Sequence, residues 1–296
     1  MQMLIFGHGY TAATLTPRLL AQGWSVTGTT RHDPDRVRQA GATPLGWQDD
    51  EGAIRAAIAS ADAILISIAP DADAASGADP VIRRFGAELA LAQPRWVGYL
   101  SSTNVYGDHG GAWVDETTPT DPDIARGNAR LQAEDAWQDL SIHAGWPLAI
   151  FRLAGIYGPG RGPFEKLRRG TARRIVKPGQ VFSRIHVEDI AGVILASLAR
   201  PGAPGAPQIY NICDDEPAPP EEIIALAAEM LGLPAPEAED FATADMTPMA
   251  RSFYADSKRV SNARMKADLG YRLIHPDYRS GLRAILAAED QVTAQV

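Results

Sequence analysis

Residues 2–15 read QMLIFGHGYTAATL, and their reading decides the fold. Met3 to Phe6 run apolar without a break and stop at Gly7, as a short buried strand does. Gly7, Gly9 and Ala12 then fall in the spacing G-x-G-x-x-A, and a helical pattern follows until Gly23. A strand feeding a helix through close glycines suits a dinucleotide pyrophosphate. Gly7 permits the tight turn, Gly9 brings no Cβ against the phosphates, and Ala12 lets helix and strand pack closely. The first N–H groups of the helix face the anion. Tyr10 and Thr11, at the helix start, are expected to join this loop.

The same alternation continues outward. WSVTGTTR, DAILISIAP, RWVGYLSST, PLAIFRLAG and PQIYNICD read as strands, separated by helical stretches such as PVIRRFGAELALAQ and VEDIAGVILASLAR. Strands alternating with helices predict an α/β chain whose parallel sheet is covered on both faces. The right-handed crossover makes it a Rossmann-type doubly wound sheet. Two stretches break the pattern: the Gly-, Pro- and Arg-rich run after Gly160, and the tail after Asp214. They predict a small C-terminal substrate lobe. The expected units are 1–160 with 187–214 for the nucleotide-binding domain, and 161–186 with 215–296 for the lobe facing the sheet's carboxyl edge.

The end of the second strand distinguishes the coenzymes. An acidic residue there holds the ribose 2′-OH of NAD, whereas arginine suits the 2′-phosphate of NADP. This chain has Thr29, Thr30 and Arg31, with no carboxylate until Asp33, so NADP is expected and NAD is the second choice. Ala69, ending the DAILISIAP strand, completes the expected cofactor contacts. A net charge of −8 argues against a general nucleic-acid binder. A single cysteine, Cys213, excludes an internal disulfide and a cysteine-based zinc site; no metal site is expected, and a reducing cytoplasm is. No uninterrupted apolar run approaches the roughly 20 residues of a membrane span. The expected partner is a small-molecule substrate, with a homodimer possible through helices flanking the sheet.

YLSSTNVYGD, DETTP, FRLAGIYGPGR, RIHVEDIA and YNICDDEP together resemble the extended short-chain dehydrogenase/reductases, the epimerase/dehydratase group. The resemblance covers roughly residues 1–215. It implies chemistry by a Ser or Thr, a Tyr that exchanges the proton, and a Lys that holds the nicotinamide ribose. Ser102 matches the Ser/Thr. The helix that should carry Tyr-x-x-x-Lys reads ARGNARLQAED from Ala125 to Asp135, with Arg126 in the Tyr slot and Arg130 in the Lys slot. Arg130 can still hold a ribose hydroxyl. Arg126 cannot act as acid or base, because a guanidinium keeps its proton above pH ~12. It can bind a substrate anion or a developing oxyanion. Gly155 stands where the family carries a diphosphate-binding Asn, and Phe182 where epimerases carry an Arg. Thr103-Asn104 replaces the dehydratases' acid pair. The resemblance therefore does not extend to a UDP- or dTDP-sugar substrate.

The remaining candidates are weaker. Lys166, Arg168, Arg169, Arg173, Arg174 and Lys177 form a basic run whose ordinary role is a solvated face. His186, Asp108 and His109 lie near the expected site, and each defaults to a hydrogen-bonded structural role. His8 lies in the phosphate loop with no chemistry assigned to it. The first expectation is an NAD(P)-binding oxidoreductase or epimerase-like protein acting on a small anionic carbonyl or sugar derivative, with Ser102, Arg126 and Arg130 as its catalytic set. The second is a non-catalytic NADP(H)-binding sensor or partner module.

Overall fold

The computed structural model describes residues 1–71 and 79–293; the expected bounds that run through 72–78 and 294–296 lie outside the described residues. In chain order the elements are β1 (Gln2–Phe6), α1 (Tyr10–Ala21), β2 (Ser25–Thr30), α2 (Pro34–Gln39), β3 (Thr43–Gly46), α3 (Glu51–Ser60), β4 (Ala63–Ile66) and α4 (Pro80–Leu91). Then come β5 (Trp96–Ser102), β6 (Trp113–Val114), α5 (Ala125–Ala144), β7 (Leu148–Leu153), β8 (Gly155–Tyr157), α6 (Phe164–Arg168), β9 (Arg174–Val176) and β10 (Arg184–His186). The chain ends with α7 (Val187–Ala199), β11 (Gln208–Ile212), α8 (Pro220–Met230), β12 (Ala238–Asp240), α9 (Pro248–Ser252), β13 (Arg259–Val260), α10 (Ala263–Leu269) and α11 (Tyr278–Thr293).

Seven strands form one sheet in the order β11-β7-β5-β4-β1-β2-β3, and every neighbouring pair is parallel. The order reverses at β1, which lies between β2 and β4, so a crevice opens at the carboxyl ends of β1 and β4. Side chains of β1 alternate between two cores. Met3 and Ile5 pack with α1 and α7 residues, whereas Leu4 and Phe6 pack with α3, α4 and α5 residues. Phe6, Trp47 and Phe85 make one aromatic knot on the second face, with centroids about 6 Å apart.

A third core joins Phe164 and Leu167 of α6 to Ile223 and Ala227 of α8 and Leu282 and Ile285 of α11. It is the core of a small C-terminal lobe. The lobe is not one unbroken stretch of chain. Residues 259–273 return to the main core: β13 pairs with β6 in a separate two-stranded sheet, and Val260, Met265 and Leu269 are buried in the α1–α7 core. Strand β3 has no counterpart among the strands read from sequence. It is an edge strand of four residues, and Pro44 within it lacks the N–H of a ladder donor.

Candidate functional site

Gly7 follows β1 with φ +85°, where L side chains rarely settle, and a Cβ there would lie 2.8 Å from Ile68 Cγ1. Its N–H donates to Thr29 Oγ1 at 2.8 Å, which ties the loop to the end of β2. Gly9 precedes α1, and a Cβ there would meet no atom of the described residues closer than 3.9 Å. The space before the helix N-terminus is therefore open, as a pyrophosphate requires. Ala12 is fully buried and packs helix to sheet. Tyr10 begins α1, so its backbone N–H is among those free at the helix start. Its hydroxyl donates to Pro159 O at 2.9 Å, so the ring bridges α1 to the turn after β8.

Two cavities run along the crevice and share Ser67. One, of about 660 Å³, is lined by Gly7, Gly9, Thr30, Arg31 and Ala69. It also takes in Arg36, whose Nη2 donates to His8 O at 3.0 Å. Sequence reasoning passes over Arg36, although its place six residues after the end of β2 is a usable signal. His8 is buried over Gly28, with its Nε2 2.8 Å from Thr16 Oγ1. Burial, and then the charge of Arg36, hold its imidazole below the ordinary histidine range. The unfolded chain thus binds more protons below about pH 6.5, so the stability His8 contributes is present above that value and lost as pH falls. Urea denaturation at about pH 5.5 and 7.5 is expected to show lower stability in acid, and His8→Gln to narrow the difference.

The other cavity, of about 540 Å³, lies over the ends of β5 and β7. Thr11, Ser102, Arg126 and Arg130 all reach it, so the three residues of the expected catalytic set are brought together. Ser102 Oγ accepts the N–H of Asn104 at 3.2 Å, leaving its own O–H to donate. Arg130 Nη1 donates to Leu100 O at 2.7 Å and lies 3.2 Å from the Tyr99 hydroxyl. Arg126 sits one helical turn earlier. Its guanidinium lies over the ring of Phe253 at 4.5 Å and donates to Ser252 Oγ at 3.2 Å, so the lobe closes on it. Its Nε is buried without a partner among the described residues.

Beneath the cleft, Glu134 of α5 is fully buried and holds Arg152 of β7 through Nε at 3.2 Å and Nη2 at 2.7 Å. Ser101 donates to the same carboxylate, and Arg152 continues to the Tyr106 hydroxyl, which donates to Asn211 Oδ1 at 2.8 Å. This network fixes the helix that carries Arg126 and Arg130 against the strand that carries Ser102.

The lobe adds a residue that the family motifs do not mark. Lys258 is buried at the cavity wall, 3.1 Å from Asp256 Oδ2, and donates to Gly107 O. Burial lowers the pKa of its ammonium, against the opposing pull of Asp256. The chain's one Tyr-x-x-x-Lys spacing runs from Tyr254 to Lys258, outside any helix. Tyr254 faces a separate cavity of about 540 Å³ in the lobe, so the two do not form the family's pair.

The other sequence candidates are held structurally. Asp108 Oδ1 accepts the N–H groups of Ser257 and Gly110, and His109 Nε2 lies 3.1 Å from Tyr106 O. Cys213 is fully buried against Val260 O. In the basic run, Arg168, Arg169 and Arg173 pair with Glu289, Glu165 and Glu239.

A doubly wound sheet with a glycine phosphate loop at its switch point and a lobe over its carboxyl edge defines a nucleotide-binding α/β protein of the dehydrogenase type. The chain belongs to the NAD dependent epimerase/dehydratase family, whose model matches residues 3–213. It is similar to a functionally unknown conserved protein from Silicibacter pomeroyi DSS, with 55% identity, 97% of this chain and 98% of that one covered, and a TM-score of 0.90. It is 30% identical to Protein YeeZ of Escherichia coli K12, over 93% of this chain and 97% of YeeZ. The human epimerase family protein SDR39U1, solved with NADPH, shares the fold at 20% identity, with 96% and 99% covered and a TM-score of 0.71. Among the described residues no helix is long and apolar enough to cross a membrane.

Proposed function

We propose that the protein is an NADP(H)-dependent oxidoreductase of the extended short-chain type, acting on a small anionic carbonyl or sugar-derived substrate. The carrying observation is the continuity, through Ser67, of a phosphate-loop cavity that holds Arg31 and Arg36 with a cleft lined by Arg126, Arg130, Arg161, Arg184 and Lys258. The first end fits a 2′-phosphate, and the second an anion. A nicotinamide bound between them supplies or accepts hydride at its C4.

The chain's own residues then have distinct tasks. Ser102 donates its O–H to the substrate oxygen. Arg130, braced on Leu100 O, directs its remaining N–H groups toward the coenzyme ribose. Arg126 binds the substrate's negative group. Lys258 releases a proton to the oxygen as hydride reaches the carbon, so that a carbonyl becomes an alcohol. Its burial eases that release, and Asp256 beside it holds the ammonium in place beforehand.

Fluorescence titration with NADPH and NADH, followed by NADPH consumption with a panel of 2-oxo acids and phosphorylated sugars, tests this reading. Preferential NADPH binding and turnover of an anionic carbonyl are expected. Lys258→Met is expected to lower turnover at least tenfold while leaving the NADPH Kd unchanged. Binding of neither coenzyme would overturn the proposal. Tight NADPH binding without turnover would leave a binding module with no chemistry.

A further inference from the structure

The segment His186-Val187-Glu188-Asp189 and the turn before α11 meet at the start of α7. His186 ends β10 and caps α7, accepting the Glu188 N–H on its Nδ1 at 3.3 Å. Asp189 is fully buried and accepts the backbone N–H groups of Ile274 at 2.6 Å and His275 at 3.0 Å, with the Tyr271 hydroxyl at 3.0 Å. Those three bonds press His275 onto the helix start.

The two imidazole centroids are consequently 4.0 Å apart, with the rings tilted by 57°. Glu188 Oε2 lies 2.9 Å from His275 Nε2 and 3.9 Å from His186 Nδ1. One donor atom from each of the three residues falls within 4.8 Å of the others. Both histidines are buried, with relative exposures of 2% and 6%, and His186 Nε2 has no hydrogen-bond partner among the described residues. The Glu188 side chain is 41% exposed, which leaves a route for an ion and for water. Its other oxygen pairs with Arg18 at 3.2 Å, and Arg18 also donates to the Glu188 carbonyl. The carboxylate is thereby turned with Oε2 toward the histidines.

We propose that His186, Glu188 and His275 bind a divalent transition-metal ion, with Zn²⁺ the best match to the donors. Two imidazoles and one carboxylate suit Zn²⁺, Co²⁺ or Ni²⁺, whereas Mg²⁺ and Ca²⁺ take oxygen donors. Donors within 4.8 Å of one another can converge on an ion at bond lengths of about 2 Å through side-chain rotations. Asp189 supplies the outer support: it fixes the backbone of one ligand and belongs to the same helix as another. Bound there, the ion would tie the C-terminal segment to α7, and none of its three ligands lines either crevice cavity. The site is independent of the proposed reaction.

The test is calorimetric titration of the chelator-stripped full chain with ZnCl₂ at about pH 7.5, with Co²⁺ absorption as a second readout and Mg²⁺ as a control. Saturation at one Zn²⁺ per chain and no Mg²⁺ binding are expected. His275→Gln and Glu188→Gln should each weaken Zn²⁺ binding by at least about tenfold, whereas His143→Gln, on the exposed side of α5, should leave it unchanged. Circular dichroism on each variant checks that the fold survives. Absence of saturable Zn²⁺ binding overturns the proposal. So does one-equivalent binding that persists in both folded variants, which would place the ion elsewhere.

Discussion

Replacing Glu134 with alanine is expected to destabilise the protein by about 3–5 kcal/mol, because it leaves the Arg152 guanidinium buried with no counter-charge. Arg152 is 4% exposed, so water cannot replace the carboxylate without opening the core. Ser101 would lose its acceptor as well, and among the described residues only the Tyr106 hydroxyl would remain to Arg152. A drop of roughly 6–10 °C in melting temperature follows from a loss of that size in a chain this long. The pair's net worth is a different quantity. Substituting Glu134→Leu and Arg152→Met together removes both charges and is expected to cost far less than the single change. A cycle of the two single variants and the double variant in urea denaturation separates the terms. A loss under about 1 kcal/mol for Glu134→Ala would mean that solvent reaches the pair, contrary to its burial.

The consequence extends into the cleft. Glu134 is on the same helix, about two turns beyond Arg126 and one beyond Arg130, and Arg152 is on the strand beside Ser102. Weakening the pair loosens the register between the residues proposed to hold substrate and those proposed to hold ribose. Active sites lose rate steeply with displacements of about 1 Å. The same variant is therefore expected to impair turnover in the surviving folded fraction.

The parts of this arrangement that could be read from sequence are those governed by neighbours along the chain. Met3–Phe6, Gly7, Gly9 and Ala12 specify strand, turn and helix within a dozen residues, because backbone conformation and packing there are local. The sites of Ser102, Arg126 and Arg130 follow from the register of β5 and α5 with their motifs, and all three line one cavity. Tyr10 shows the limit. It stands in the phosphate loop, yet its hydroxyl is drawn across to Pro159, a contact set by tertiary packing. Lys258 reaches the cleft because β13 pairs with β6 across some 145 residues, and spacing carries no trace of that. The His186–Glu188–His275 cluster is likewise assembled by the hold of Asp189 on a distant turn. Short edge elements such as β3 escape for another reason: with one neighbour and a proline, they need neither alternation nor a long apolar run.

The second large effect concerns coenzyme choice. Arg31→Glu is expected to weaken NADPH binding by about 10- to 100-fold while changing NADH binding by less than about threefold. Arg31 is exposed at the mouth of the loop cavity, beyond the end of β2, and no ion pair holds it among the described residues. A charged hydrogen bond to a 2′-phosphate contributes about 1.5–3 kcal/mol, and NADH has no such group to lose. Reversing the charge adds repulsion toward the phosphate, while a carboxylate at this point suits the free ribose hydroxyl. Arg36 faces the same cavity but is partly engaged by His8 O, so Arg36→Glu should show a smaller selective effect together with some loss for both coenzymes. Fluorescence titrations of the two variants with both coenzymes distinguish the outcomes. Equal losses for NADPH and NADH with Arg31→Glu would point to damage of the loop itself. No loss for either would move the 2′-phosphate contact from Arg31 to Arg36, and the selective effect should then appear in the Arg36 variant.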